Sequence, residues 1–505
     1  MTRRALAIAC LLASCAPAVM PRTDPVAASS VKPVARPVES FRLTPDAPFR
    51  EKEPPAGANI EFHPPAIQSL ALKNGIRVWL VERPKPSLAS IRVVVSRGAA
   101  DVDTRPGAID FLMFAVRFSA AGRSRAEIFG QLSELSTEVT TPDSQDWSEF
   151  LLKGPSHALP RTVELMSTLL VKPEFNDHEV ERHKSYLSAH VDQEANNAGA
   201  VARRSFALAT WGPGHPYSQV PVGRPEDIRA LTRAEIVRIH ADHFAPATTT
   251  IVAAGDLRAP DLLPLLESSF GAWKGKAAPR KPIPEPSREL DSAPRIVVIN
   301  RSGAPQSHLI YGGVGPARAA SDWNAAVVLN AVYGGTNSSR LSRSLRNELG
   351  FTWSGLSMLL PRRGPSPFYW EGEVAREATA ETLREIRRRA KELRELEVPP
   401  AELGEVKQRI RLGFPGEFET VEDITERIAA LAIYELPMSE YETAQQRIDA
   451  VTAADVKRAA AAYLDPARTR AVIVGDWEVL KTSLKSLGWG PIELRDATGK
   501  ITGRE

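Results

Sequence analysis

A chain of 505 residues is too long for one ordinary domain and has room for two or more. Its 64 basic and 61 acidic residues leave a net charge of +3, which excludes the concentrated basic face of a dedicated nucleic-acid binder, while 43% hydrophobic and 25% charged residues place it among globular proteins. Its two cysteines, Cys10 and Cys15, both lie near the N-terminus, so no disulfide framework is expected, and no later apolar run is long enough to span a bilayer.

In chain order, Arg3 and Arg4 precede an apolar stretch, Ala5 to Ala13, of signal-peptide length and too short for a mature spanning helix. The next residues, Leu12-Ala13-Ser14-Cys15, resemble the lipobox of bacterial lipoproteins. That likeness implies cleavage before Cys15 and lipid on its sulfur. With Ala16 rather than Asp following, it also implies an outer-membrane destination in the cell envelope. The alternative is an ordinary signal peptide cut nearby. Acyl chains contribute roughly 0.8 kcal/mol per buried CH₂, so a multiply acylated cysteine anchors firmly. Residues 16–66, rich in Pro, Ala and charge, read as an extended tether.

The pattern then predicts strands at Gly75 to Leu80 and Ile91 to Val95, and helices near 110–118, 125–135 and 157–170. Residues 273–294, dense in Lys, Pro and Glu, read as an exposed linker. Beyond it the order repeats, with strands at 295–300 and 308–312 and a helix at 323–332. An internal duplication underlies this. Leu231-Thr232-Arg233-Ala234-Glu235-Ile236 matches Val451-Thr452-Ala453-Ala454-Asp455-Val456 at an offset of 220, and the same offset carries Pro246 onto Pro466, Gly255 onto Gly475 and Asp256 onto Asp476. In each copy a Thr with an acid three residues on opens a helix, and a β-rich run closes on Gly-Asp. The expected organisation is two similar halves, 67–272 and 295–497, with a short tail at 498–505. Strands and helices in blocks, without regular βαβ alternation, argue an α+β class.

From Leu70 to Arg495 the chain resembles the M16 metallopeptidases, the insulinase, pitrilysin and mitochondrial-processing-peptidase type. The likeness rests on Leu72 to Val78, on Gly98 to Asp101, on Gly107-Ala108, and on His215-Pro216-Tyr217 through Gly223 with Glu226-Asp227-Ile228. In the second half it rests on Gly334-Gly335, Ser339-Arg340-Leu341, Leu345-Arg346 and Gly350. It implies two homologous α/β-sandwich halves of the LuxS/MPP-like metallohydrolase fold closing as a clamshell, with extended peptide added to a sheet edge.

Active members carry His-x-x-Glu-His on the helix after the position of Gly107. Its two histidines share a helix face and hold zinc, the Glu activates the bound water, and a third ligand, a Glu, follows about 76 residues on. Here those positions are Asp110, Met113, Phe114 and His190. Phe114 cannot ligate and Met113 cannot act as a base. The two ligands that remain fall short of the three that catalytic zinc takes. No cofactor and no catalysis by the family mechanism are therefore expected. The alternative is a rearranged metal site of Asp110, His190 and His183. Otherwise His183 and His190, seven residues apart on one helix face, read as solvated surface histidines, and Asp110 reads as a partner of His190.

The resemblance also assigns a substrate-holding pair, Arg346 and Trp353, the latter standing where the family has Tyr. Arg346 keeps its bidentate donors, whereas Trp353 keeps an aromatic face and loses the hydroxyl. His240 and His243 read as structural. The function expected is a non-catalytic subunit that binds peptide and completes the chamber of a zinc-bearing M16 partner as a heterodimer, touching membrane only through its lipid. The alternatives are a stand-alone peptide- or envelope-binding lipoprotein and an active peptidase with unusual ligands.

Overall fold

Thirteen strands form in the computed structural model, which describes residues 47, 49, 61–102, 105–219, 222–287, 290, 293 and 295–505. The chain divides into two units, Met1–Ala58 and Asn59–Glu505, and all thirteen strands lie in the second. The signal segment, Cys15 and nearly all of the 16–66 stretch fall outside the described residues.

The first half of the second unit carries β1 (Gln68–Ala71), β2 (Arg77–Glu82), β3 (Leu88–Val95), β4 (Glu138–Thr140), β5 (Ser148–Pro155) and β6 (Thr249–Gly255). Its helices are α1 (Ala108–Ala115), α2 (Arg125–Glu134), α3 (Leu159–Val171), α4 (Asp177–Glu194), α5 (Ala198–Trp211), α6 (Pro225–Ala230), α7 (Arg233–His243) and α8 (Ala259–Phe270). The second half carries β7 (Ile296–Asn300), β8 (Gln306–Gly315), β9 (Leu356–Leu359), β10 (Ser366–Ala375), β11 (Arg470–Gly475), β12 (Ile492–Arg495) and β13 (Ile501–Arg504). Its main helices are α9 (Trp323–Tyr333), α10 (Arg340–Ser342, continuing as a π-helix through Arg343–Glu348), α11 (Thr379–Glu395), α12 (Pro400–Gly413), α13 (Val421–Ile433), α14 (Ala444–Ala450), α15 (Ala453–Tyr463) and α16 (Trp477–Lys485).

The duplication is visible in the sheets. One runs β1-β2-β6-β3-β5-β4 and the other β13-β12-β7-β11-β8-β10-β9, so β2-β6-β3-β5-β4 corresponds to β7-β11-β8-β10-β9. The Gly-Asp strand β6 pairs parallel to β2 and antiparallel to β3, just as β11 pairs parallel to β7 and antiparallel to β8. The strands that the sequence places in succession, β2 and β3, are thus separated by β6. The helix starts at Thr232 and Thr452 are both reciprocal caps, each hydroxyl accepting from the acid's N–H and the acid accepting from the Thr N–H.

β6 is buried along its whole length because both faces of its sheet are covered. One face packs on the helices of its own half. The other takes α13 from the second half, with Ile424, Ile428 and Leu431 against Trp79, Val94 and Val252. In exchange, α5 of the first half lays Val201, Ala202 and Phe206 against Val297, Ile310 and Val472 of the second sheet. Each half therefore lends one helix to the back of the other's sheet.

Two of the expected segments make definite contacts. Within the tail at 498–505, β13 pairs antiparallel with β12 and widens the second sheet. The 273–294 linker is largely exposed among its described residues and is tied down at several points. Trp273 is buried in the first-half core, Arg97 donates to the Ala278 carbonyl at 2.7 Å, and the His215 ring lies 2.9 Å from the Pro284 carbonyl oxygen. A Pro-rich segment is poorly suited to pair in a sheet, but its carbonyls remain acceptors, and buried donors take them.

Candidate functional site

The site is built around α1, whose start is fixed by two glycines pressed back to back. Gly107 (φ +85°) and Gly223 (φ +75°) both adopt left-handed backbone. A Cβ on Gly107 would stand 2.4 Å from the Val222 carbonyl oxygen, and one on Gly223 would stand 2.4 Å from that of Pro106. From there α1 buries Ile109, Phe111, Leu112 and Met113. Asp110 and Phe114, one turn apart, meet α4 instead.

Phe114, which the M16 likeness sets at the second ligand position, stands in an apolar stack. Its ring lies 4.0 Å from that of His183 and 11° from parallel to it, with Tyr186 on α4 stacked at 5.9 Å. Phe111 packs on His183 at 4.5 Å, and the Arg117 guanidinium sits 4.7 Å over the Phe114 ring. His183 is 2% exposed and neither ring nitrogen has a protein partner. The reading of His183 as a solvated histidine is therefore corrected: Phe114 and Phe111 reach across from α1 and seal it in, which charged neighbours such as Arg182 and Lys184 conceal in the sequence.

The residues present do not fit a catalytic zinc. Met113 and Phe114 offer no hard donor, and the ring stack fills the space beside Asp110. Among the described residues no group of three or more His, Cys, Asp or Glu is arranged to hold a metal ion. Asp110 and His190 do face the same region, but the ion pair of His190 is with Glu194, at 3.8 Å, and not with Asp110. The Asp110 carboxyl is pushed up to about 6 by burial and by Glu194, with His190 pulling the other way. Asp143 is also raised well above the usual carboxylate range, by burial and by Asp110, and its Oδ2 is buried without a partner. Glu194 thus raises Asp110, and Asp110 in turn raises Asp143.

Burial, with Arg117, Arg182 and Arg125 nearby, pushes His183 down from 6.5 to about 3. The unfolded chain takes up that proton first, so the stability present above pH 6.5 is lost as pH falls toward 3. Asp110 has the opposite sign, its contribution being full below 3.8 and lost as pH rises through about 6. His183→Phe is expected to retain about 2 kcal/mol more of its neutral-pH stability at pH 5 than the native chain does. Urea midpoints at pH 7 and pH 5 measure this, and equal losses in both proteins would contradict a buried neutral His183.

Beneath this face lies a polar contact between the halves that sequence reasoning missed. Arg363, in the loop before β10, pairs with Asp101 at 3.0 Å and stands 3.8 Å from Asp146, both acids being fully buried. The Arg363 backbone N–H donates to Asp146 at 2.9 Å, and the Tyr217 hydroxyl donates to Asp146 at 2.6 Å and accepts from the Gly364 N–H at 3.0 Å. The only trace of it in the sequence is that Asp101 and Tyr217 fall in two of the segments that carry the M16 likeness. Arg346 and Trp353 are both exposed, Trp353 at 83%, and neither side chain makes a hydrogen bond, ion pair or ring contact among the described residues. His243 is fully buried with Nε2 at 3.0 Å from the Ser148 hydroxyl, and His240 Nε2 lies 2.8 Å from the Leu170 carbonyl oxygen.

A duplicated two-sheet α+β body with α1 and α4 facing one another is a fold shared with solved M16 structures. Residues 230–410 match the family model described as the peptidase M16 inactive domain. An uncharacterized zinc protease of Mycobacterium tuberculosis is 24% identical over 299 residues, 58% of this chain and 67% of that one. Subunit 1 of the mitochondrial cytochrome b-c1 complex of Bos taurus is 22% identical over 272 residues, 54% of this chain and 56% of that one. A crystal structure of a peptidase M16 inactive domain from Pseudomonas fluorescens superposes with a TM-score of 0.75 at 21% identity, covering 81% of this chain and 98% of that one. The chain thus shares its fold with M16 structures, and its 230–410 segment matches the family's inactive-domain model.

Proposed function

We propose that this protein is a non-catalytic M16-type subunit that binds extended peptide and completes the substrate chamber of a zinc-bearing M16 partner, held at the bacterial envelope by lipid on Cys15. The observation that carries the reading is Phe114: an aromatic stack fills the ligand position while the helices and sheets around it keep the M16 arrangement. Relatives named as zinc proteases and one named as a subunit of a respiratory complex support a family that contains both catalytic and assembly members. β4, three residues long, is an edge of the first sheet, and Thr141 just after it donates to the Met113 carbonyl on α1 at 2.5 Å. A peptide added to that edge runs past Asp110 and Asp143.

The test is turnover of a quenched fluorescent peptide. The protein alone, with zinc supplied, is expected to give none above buffer. Mixed with a catalytic M16 chain from the same genome, it is expected to form a complex and raise that chain's turnover. Zinc-dependent cleavage by the protein alone would overturn the proposal. Strand addition uses main-chain hydrogen bonds, so N-methylation of alternate peptide residues is expected to weaken binding by about 10-fold or more. Trp353→Ala is expected to weaken it by about 10-fold, with unfolding free energy changed by less than about 0.5 kcal/mol. An unchanged Kd in fluorescence anisotropy would remove Trp353 from the binding face.

A further inference from the structure

A cavity of about 280 Å³ opens between the halves, walled by α5 and the end of α4 on one side and by β10 and the loop before it on the other. Its apolar wall includes Phe206, Trp211, Tyr217 and Tyr369, and its polar groups are unbalanced. Arg203 is matched by Glu371 at 2.6 Å. Arg204 and Arg362 make no ion pair among the described residues, Arg362 resting instead 5.8 Å over the Tyr217 ring. Trp211 is 4% exposed and its indole N–H has no partner. The one acid in the lining, Glu194, lies 3.8 Å from His190, and the one buried acceptor there without a partner is Gln145 Oε1. Unmatched donors and cations thus outnumber acceptors in a space that holds one or two side chains, since a water molecule takes about 30 Å³.

We infer that this cavity is a binding site for a carboxylate carried on a short apolar or aromatic body, supplied by an acidic side chain or the free C-terminus of a peptide. A buried indole N–H and two unpaired guanidinium groups satisfy a carboxylate's lone pairs, and the aromatic wall covers its stem. Glu194 in the wall disfavours a doubly charged phosphate. As a specificity pocket for peptide, the assignment rests on the reading under Proposed function; as a carboxylate site it stands apart from that reading.

The experiment uses the full chain without its signal segment. 3-Phenylpropionate and 3-phenylpropanamide are titrated by ligand-observed NMR into the native protein and into Arg204→Gln/Arg362→Gln. The native protein is expected to favour the carboxylate by about 10-fold or more, and the double variant to lose that preference, a charge-assisted bond being worth about one to two decades. Equal binding of acid and amide, or no binding of either, overturns the assignment. Four strand-forming peptides, with central Glu or Gln and a free or amidated C-terminus, then identify the source. A preference for Glu assigns the side chain and a preference for the free acid assigns the terminus, either one upholding the pocket. Peptides that bind regardless of charge overturn its role in specificity and leave peptide binding intact. Peptides that fail while 3-phenylpropionate binds overturn peptide binding alone.

Discussion

Arg363→Ala is expected to destabilise the protein by about 3 kcal/mol, read as a lower urea midpoint. Arg363, itself largely buried, is the second half's charge against the fully buried Asp101 and Asp146 of the first. Removing it strips a cation from two acids that water cannot reach, and the cost of stranding a buried charge is typically about 3–5 kcal/mol. The lower end applies because Arg97 and Arg280 also lie close enough to interact with Asp101. Asp101→Asn in the same chain is expected to recover part of the loss, since the amide needs no counter-charge. A midpoint unchanged by Arg363→Ala would mean that the exchanged helices α5 and α13 alone hold the halves together.

The second large effect concerns the metal. Combining Asp110→His, Met113→Glu, Phe114→His and His190→Glu places on α1 and α4 the three ligands and the base that the M16 likeness implies for these positions. The four-fold variant is expected to bind one zinc with a Kd of about 1 µM or tighter, at least about 1,000-fold above the native chain, since three protein ligands complete a catalytic-type zinc site. It is also expected to lose stability without metal, because Met113 is fully buried and a carboxylate there costs several kcal/mol, about 3 or more, unless paired. Competition against a chromogenic chelator measures the affinity. A variant that still ignores zinc would show that the helices themselves have drifted out of ligand geometry.

Much of this was legible in the sequence for identifiable reasons. Thr232 and Thr452 announce their helices because a reciprocal cap is a local device, fixed within four residues. The departure from His-x-x-Glu-His was legible because it is a matter of residue type at four positions, Asp110, Met113, Phe114 and His190. Long-range pairing was not. Nothing in Thr249 to Gly255 says that it inserts between β2 and β3, because a short β-prone run without polar alternation fits any doubly covered strand. The helix exchange was hidden for a similar reason: α13 and α5 show which face is apolar and not whose sheet it meets. Arg363 and Asp101 are 262 residues apart, and each alone reads as an ordinary surface charge. His183 was misread because the residues that bury it come from α1, not from its own helix.

Zinc stoichiometry of the purified native chain, by elemental analysis after dialysis against trace zinc, tests the central claim most directly. The account predicts a value near zero, unchanged by Asp110→Ala or His190→Ala. A value near one that either substitution abolishes would contradict it and make the Asp110 region a rearranged metallopeptidase centre.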